Sequence, residues 1–147
     1  MFSKDTVALC RYRMAKASDL LRDAEETLKL GMYETAANRS YYSVFHCVRG
    51  LLALDGVDFK KHSGVISYFQ SNYIKSGLLP VDLSDTLKSA FSLRTESDYK
   101  DFFVISNEDV ARQVSEARAF NEMVQRYAEE RIANEFDEDG QVNKLTP

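Results

Sequence analysis

Two residues of this chain, Arg39 and His46, have side chains and a spacing suited to chemistry on a phosphodiester. Imidazole, with an unperturbed pKa near ~6.5, takes and gives protons at neutral pH, and such acid or base help is worth ~10² to 10⁴ in rate. A guanidinium is permanently charged, and its fork matches phosphate oxygens. RNA carries its own nucleophile, the ribose 2'-OH, which attacks the adjacent phosphorus once a base takes its proton and a cation offsets the developing charge. That route calls for no metal and no cofactor, and it leaves a 2',3'-cyclic phosphate and a 5'-OH.

The element that must position these groups is a helix over about Tyr33 to Leu54, stopped by Asp55-Gly56. At about 100° per residue, Tyr41, Val44, Phe45, Val48, Leu51 and Leu52 fall within about 60° of one line, which marks the core face. Opposite lie Arg39, Ser43, His46, Gly50 and Ala53, with Tyr42 beside them. Arg39 and His46 are then separated by ~10.5 Å along the axis, a gap their side chains can span around a phosphodiester. Ser43, Gly50 and Ala53 are small, so this face is expected to admit a second copy, and a two-fold interface would bring two Arg39/His46 pairs together. The plain alternative is that an Arg-x(4-6)-His spacing arises readily by chance among ten arginines. Histidines on bundle helices more often pack than catalyse, and exposed arginines more often meet only water.

Other helices follow from the same periodicity. Met14, Ala17, Leu21, Ala24 and Leu28 mark one face of a helix over about Asp5 to Leu30, with Gly31 placed to end it. A third helix is expected from His62 to Ile74, halted near Gly77 and Pro80, and a fourth over Leu83 to Glu96. For the last, Ser106 can cap, Glu108 and Asp109 sit in the positive first turn, and Val110, Val114, Ala117, Asn121, Val124 and Ala128 repeat by four and three. The fold class is therefore all-α, with about five helices. Residues 1–134 are read as one domain and residues 135–147 as an acidic, mobile tail.

The 147 residues suffice for a single core, and six glycines and two prolines leave little for turn-rich β architecture. A net charge of -4 does not advertise a nucleic-acid binder, but its distribution is uneven. Residues 1–62 hold ten Lys/Arg against eight Asp/Glu, and residues 63–147 nine against fifteen, so an anion-binding surface belongs in the first half. Met1-Phe2-Ser3-Lys4-Asp5 is not the start of a signal peptide, and no segment reaches the ~20 apolar residues of a membrane span, so a cytoplasmic address is expected. Cys10 and Cys47 are read as reduced packing residues, without the paired spacing of a metal site.

Three stretches then carry a resemblance: Ala37-Asn38-Arg39-Ser40-Tyr41-Tyr42-Ser43-Val44-Phe45-His46, Lys61-His62-Ser63-Gly64-Val65, and Arg94-Thr95-Glu96-Ser97-Asp98-Tyr99. In order and spacing they resemble the HEPN family, and with their flanking helices they cover roughly residues 5–130. The resemblance implies an up-and-down helical bundle, a homodimer, and pairing with a minimal nucleotidyltransferase as a toxin and its antitoxin. Many members are ribonucleases using Arg-x(4-6)-His, which maps here onto Arg39 and His46 as the catalytic pair. Asn38, Ser40, Tyr42 and Ser43 become candidate substrate contacts. His62 either binds substrate or closes the preceding loop, the second being favoured. Arg94 and Tyr99 either line the groove beside the second helix or form a buried pair that holds the fourth helix, again with the second favoured. The rival to a nuclease is a non-catalytic subunit that binds nucleotide and docks a nucleotidyltransferase, and a helical adaptor is a third reading.

Overall fold

A computed structural model describes residues 2–138 of the chain. Five α-helices follow one another: α1 (Lys4–Lys29), α2 (Tyr33–Leu54), α3 (His62–Phe69), α4 (Val81–Tyr99) and α5 (Asn107–Glu138). No strand occurs among the described residues, and none of the described helices is long and apolar enough to cross a membrane. The all-α expectation holds.

Local chemistry sets the helix ends. The Ser3 hydroxyl accepts from the Thr6 N–H at 3.0 Å and so caps α1, and Ser106 accepts from the Asp109 N–H at 3.3 Å at the start of α5. Gly31, at φ 77°, lets the chain turn left-handed after α1, with Met32 N–H donating to the Thr27 carbonyl at 2.9 Å and Gly31 N–H to that of Leu28 at 3.0 Å. Gly56, at φ 72°, closes α2 in the same way through Val57 and Leu52. The third helix differs from expectation in form: α3 ends at Phe69, and Gln70–Ile74 continue as a wider π turn. α5 runs four residues into the stretch read as a tail, since no glycine or proline interrupts residues 107–138; residues 139–147 lie outside the described residues.

α2 is the central rod. Tyr41, Val44, Val48, Leu51 and Leu52 are buried as the spacing demands, and they join Phe69, Leu87, Phe120 and Val124 in the main core. A smaller cluster of Ala24, Ala36, Ala37, Val110 and Val114 locks α1, α2 and α5 at the other end. The small-residue face is corrected: Ser43, Gly50 and Ala53 are all buried within the one chain, so they are not open to a second copy. α1 lies there instead, for the reason that small side chains admit a close backbone. Ser43 donates to the Ala17 carbonyl at 2.7 Å and accepts from Asn121 Nδ2 at 2.9 Å, which satisfies its hydroxyl in the interior.

Gly50 sits at the tightest point. A Cβ there would lie 3.1 Å from Met14 Cγ and 3.2 Å from the Cys10 carbonyl oxygen. Gly50→Val is therefore expected to cost about 2 kcal/mol through overpacking, read as a lower urea midpoint at unchanged slope. An unchanged midpoint would mean that α1 can yield. Cys10 and Cys47 are buried free thiols beside this contact, and burial pushes the Cys10 thiol up to about 11, so both chemistry and position fit packing residues.

The C-terminal end of α2 is tied to α5 by a polar knot. Asp55 accepts from Tyr73 at 2.5 Å, from Tyr68 at 3.2 Å and from Arg131 at 3.0 Å, while Arg131 also donates to the Tyr73 oxygen at 2.7 Å. The π turn is what carries Tyr73 to this place.

Candidate functional site

With α1, α4 and α5 packed around it, α2 keeps only a narrow strip in reach of solvent. Asn38, Arg39, Tyr42, His46 and Arg49 are partly exposed, while their neighbours from Ala36 to Ala53 are buried. Arg39, Tyr42, His46 and Arg49 follow steps of three, four and three, which is one helical line. The expected co-alignment of Arg39 and His46 is thus present. Ser40 and Ser43 leave the set of substrate contacts, because both are fully buried: Ser40 donates back to the Ala37 carbonyl at 3.0 Å, and Ser43 is spent on α1 and α5.

Beside this strip opens a cavity of about 450 Å³. α2 contributes Tyr42, Phe45, His46 and Arg49 to its wall; the loop after α2 contributes Asp58, Phe59 and Lys60, and His62 enters from the first turn of α3. Arg39 is not in the wall. Its guanidinium donates to the Asn38 side-chain carbonyl at 2.7 Å, at the N-terminal end of the strip. Arg39 and His46 therefore share a line but not a cavity within one chain.

His46 Nδ1 is buried without a hydrogen-bond partner among the described residues. Burial first, and then the positive charges of Lys16, Arg49 and Arg13, hold the imidazole down to about 4, so it is neutral at pH 7 and able to accept a proton. These cations also favour an anion at the same place, and a bound phosphate would in turn raise the imidazole's proton affinity.

A pH dependence of stability follows. The unfolded histidine titrates near ~6.5 and the folded one near 4, so the unfolded chain binds more protons between those values and stability falls as pH drops through that window. Allowing for solvent screening, the loss from this group at pH 5 is roughly 1–2 kcal/mol. His46→Gln should flatten the fall in urea midpoint between pH 7 and pH 5; an equally steep fall in the variant would place the sensitivity elsewhere.

His62 is held rather than free. Its Nδ1 is 2.8 Å from the Tyr41 hydroxyl and its ring lies 4.1 Å from that of Phe45, which fits the role of closing the loop against α2 even though the residue also lines the cavity. Burial, followed by the charges of Arg94 and Arg49, lowers its pKa as well. Arg94 meets Tyr99 at the surface rather than as a buried pair: its guanidinium lies 5.9 Å from the centre of a ring that is largely exposed because α4 ends there. Arg94 also lies 5.4 Å over the Tyr42 ring, donates to the Tyr42 hydroxyl at 3.2 Å and pairs with Asp98 at 2.9 Å. It thus pins α4 to α2 and fixes the tyrosine between Arg39 and His46.

Arg49, Asp58, Phe59 and Lys60 are site residues that the sequence reading passed over. Arg49 had a signal, since it stands one step of three beyond His46 on the same line. The other three belong to a loop that no periodicity connects to α2. Asp58 binds that loop down: its Oδ2 accepts from Arg13 at 3.1 Å and from Arg49 at 3.0 Å, and its Oδ1 from the Phe59 N–H at 2.9 Å.

Comparison with known proteins bears on what such a strip is for. A family model described as the HEPN domain matches residues 10–127. A UPF0332 protein of Thermotoga maritima is 30% identical over 122 residues, covering 83% of this chain and 92% of the relative. A protein of Methanocaldococcus jannaschii named "Putative toxin" is 31% identical over 112 residues, 76% of each chain. A UPF0332 protein of Archaeoglobus fulgidus is 33% identical over 108 residues, 74% of this chain and 86% of the relative.

Proposed function

The chain belongs to the HEPN domain family, and from that premise we propose that it is a metal-independent endoribonuclease, the toxin of a cytoplasmic toxin–antitoxin pair. The observation that carries the reading is His46: a neutral imidazole whose ring lines an open cavity rimmed by cations. In the reaction His46 takes the proton of the 2'-OH, the hydroxyl oxygen bonds to phosphorus, and the bond to the 5'-oxygen breaks, that oxygen taking a proton from water to leave as the 5'-OH. Arg39 neutralises the scissile phosphate, and Asn38 and Tyr42 orient the strand along the same line of α2. The toxin name of the Methanocaldococcus relative supports the biological setting.

The functional unit in this reading is a homodimer, since Arg39 lies outside the cavity that His46 lines and a second copy can complete the site. With the small-residue face occupied by α1, the partner must meet another surface. Phe91, Tyr99, Phe102 and Val104 leave apolar area uncovered on α4 and the loop after it. A minimal nucleotidyltransferase serves as antitoxin. The rival reading, a non-catalytic subunit that binds nucleotide and docks such a nucleotidyltransferase, is favoured by the same position of Arg39 and by the net charge of -4.

The two are separated by incubating wild type, Arg39→Ala and His46→Ala with labelled single-stranded RNA in EDTA. Cleavage by wild type and loss in both variants supports the nuclease. Equal cutting by all three rejects it, and no cutting by any, with tight binding to a nucleotidyltransferase, selects the docking subunit.

A further inference from the structure

Resting on the nuclease reading but naming a contact outside its Arg39/His46 pair, we propose that Arg49 and Lys60 form a second phosphate subsite, for which the Asp58 carboxylate is the chain's own competitor. Arg49 projects into the cavity that holds His46, three residues further along α2 than the imidazole, about 4.5 Å along the axis. Arg39 lies ~10.5 Å to the other side of His46. A polynucleotide strand laid along α2 with its scissile phosphate at His46 therefore presents a neighbouring phosphate to Arg49.

The present occupant of Arg49 indicates the ligand class. A single carboxylate oxygen, Asp58 Oδ2, bridges Arg49 at 3.0 Å and Arg13 at 3.1 Å, which is the way a phosphate oxygen is held between two guanidinium groups. Arg13 is anchored independently, donating to the Arg49 carbonyl at 3.2 Å, so the pair of cations is preformed. The Asp58 side chain is half exposed at the rim, where an incoming anion can displace it. Lys60 lines the same cavity without an ion pair among the described residues, so the wall carries two cations and one carboxylate, with Arg13 behind them. Gly64 keeps the loop in place: a Cβ there would stand 2.9 Å from Phe59 Cβ, so only glycine lets Phe59 rest on the first turn of α3.

The test uses binding of a short single-stranded deoxyribonucleotide oligomer, which lacks a 2'-OH and so binds without being cut, followed by fluorescence anisotropy over a series of salt concentrations. Arg49→Gln is expected to weaken binding about 10-fold and to reduce the slope of log K against log salt by about 0.7, the signature of one lost phosphate contact on a single strand. Asp58→Asn is expected to tighten binding about 10-fold at low salt, an effect that a damaged fold does not produce. A charge-matched change on α5, Asp109→Asn, should leave binding within about twofold. Wild-type affinity and slope in Arg49→Gln, an unchanged or weakened Asp58→Asn, or no binding by any protein overturns the subsite. The EDTA cleavage assay judges the nuclease separately: the binding pattern without RNA cleavage keeps the subsite and removes the nuclease, and RNA cleavage with an indifferent Arg49→Gln does the reverse.

Discussion

His46→Ala is expected to lower RNA cleavage in EDTA by ~10² to 10⁴, the usual worth of a positioned acid or base, with a much smaller change in KM. The size follows from what the side chain does: its neutral ring lines the cavity, whereas His62 is committed through Nδ1 to the Tyr41 hydroxyl. A base held down to about 4 in the free protein is deprotonated across the neutral range, so kcat/KM should rise with pH through about 4 and be level at pH 6–8. His46→Ala should abolish that acid limb along with the rate. A limb that persists in the variant would assign it to another group. Arg39→Ala acts on the charge that develops at phosphorus and should lower kcat by a comparable factor.

Asp55→Ala is the substitution expected to cost the most stability. It removes the acceptor of Tyr68, Tyr73 and Arg131 together, and Arg131 is left with its charge facing a cavity that has lost its counterion. Breaking a buried ion pair from one side costs about 3–5 kcal/mol. The Asp55 and Arg131 side chains retain 17% and 27% exposure, so the low end, about 3 kcal/mol, applies. That corresponds to a fall in Tm on the order of 10 °C for a chain of this length. Asp55→Asn keeps an acceptor for one tyrosine while losing the charge, and should fall between wild type and the alanine variant. A Tm within about 2 °C of wild type in Asp55→Ala would show the knot to be ornamental.

The helices were legible because their signals are local. The line through Tyr41, Val44, Val48, Leu51 and Leu52, the stops at Gly31 and Gly56, and the cap at Ser106 each involve residues within a few turns of one another. The alignment of Arg39 with His46 belongs to the same class. What periodicity does not encode is which neighbour covers a given face. Ser43 and Gly50 are small on any reading, and smallness suits α1 of the same chain as well as a second copy; here α1 took the place, and Ser40 and Ser43 went inside with it. The cavity wall was hidden for a related reason. Asp58, Phe59 and Lys60 meet α2 only through the fold of a loop, while Arg49, already on the line, needed that loop to become part of a site.

The most direct measurement is the chemistry of the cut ends left on single-stranded RNA by the wild-type protein in EDTA. A 2',3'-cyclic phosphate on one fragment and a 5'-OH on the other, with no cutting at a position whose ribose is replaced by 2'-deoxyribose, is the result expected if His46 activates the substrate's own hydroxyl. A 3'-OH with a 5'-phosphate, or cutting that ignores the deoxy substitution, would contradict it.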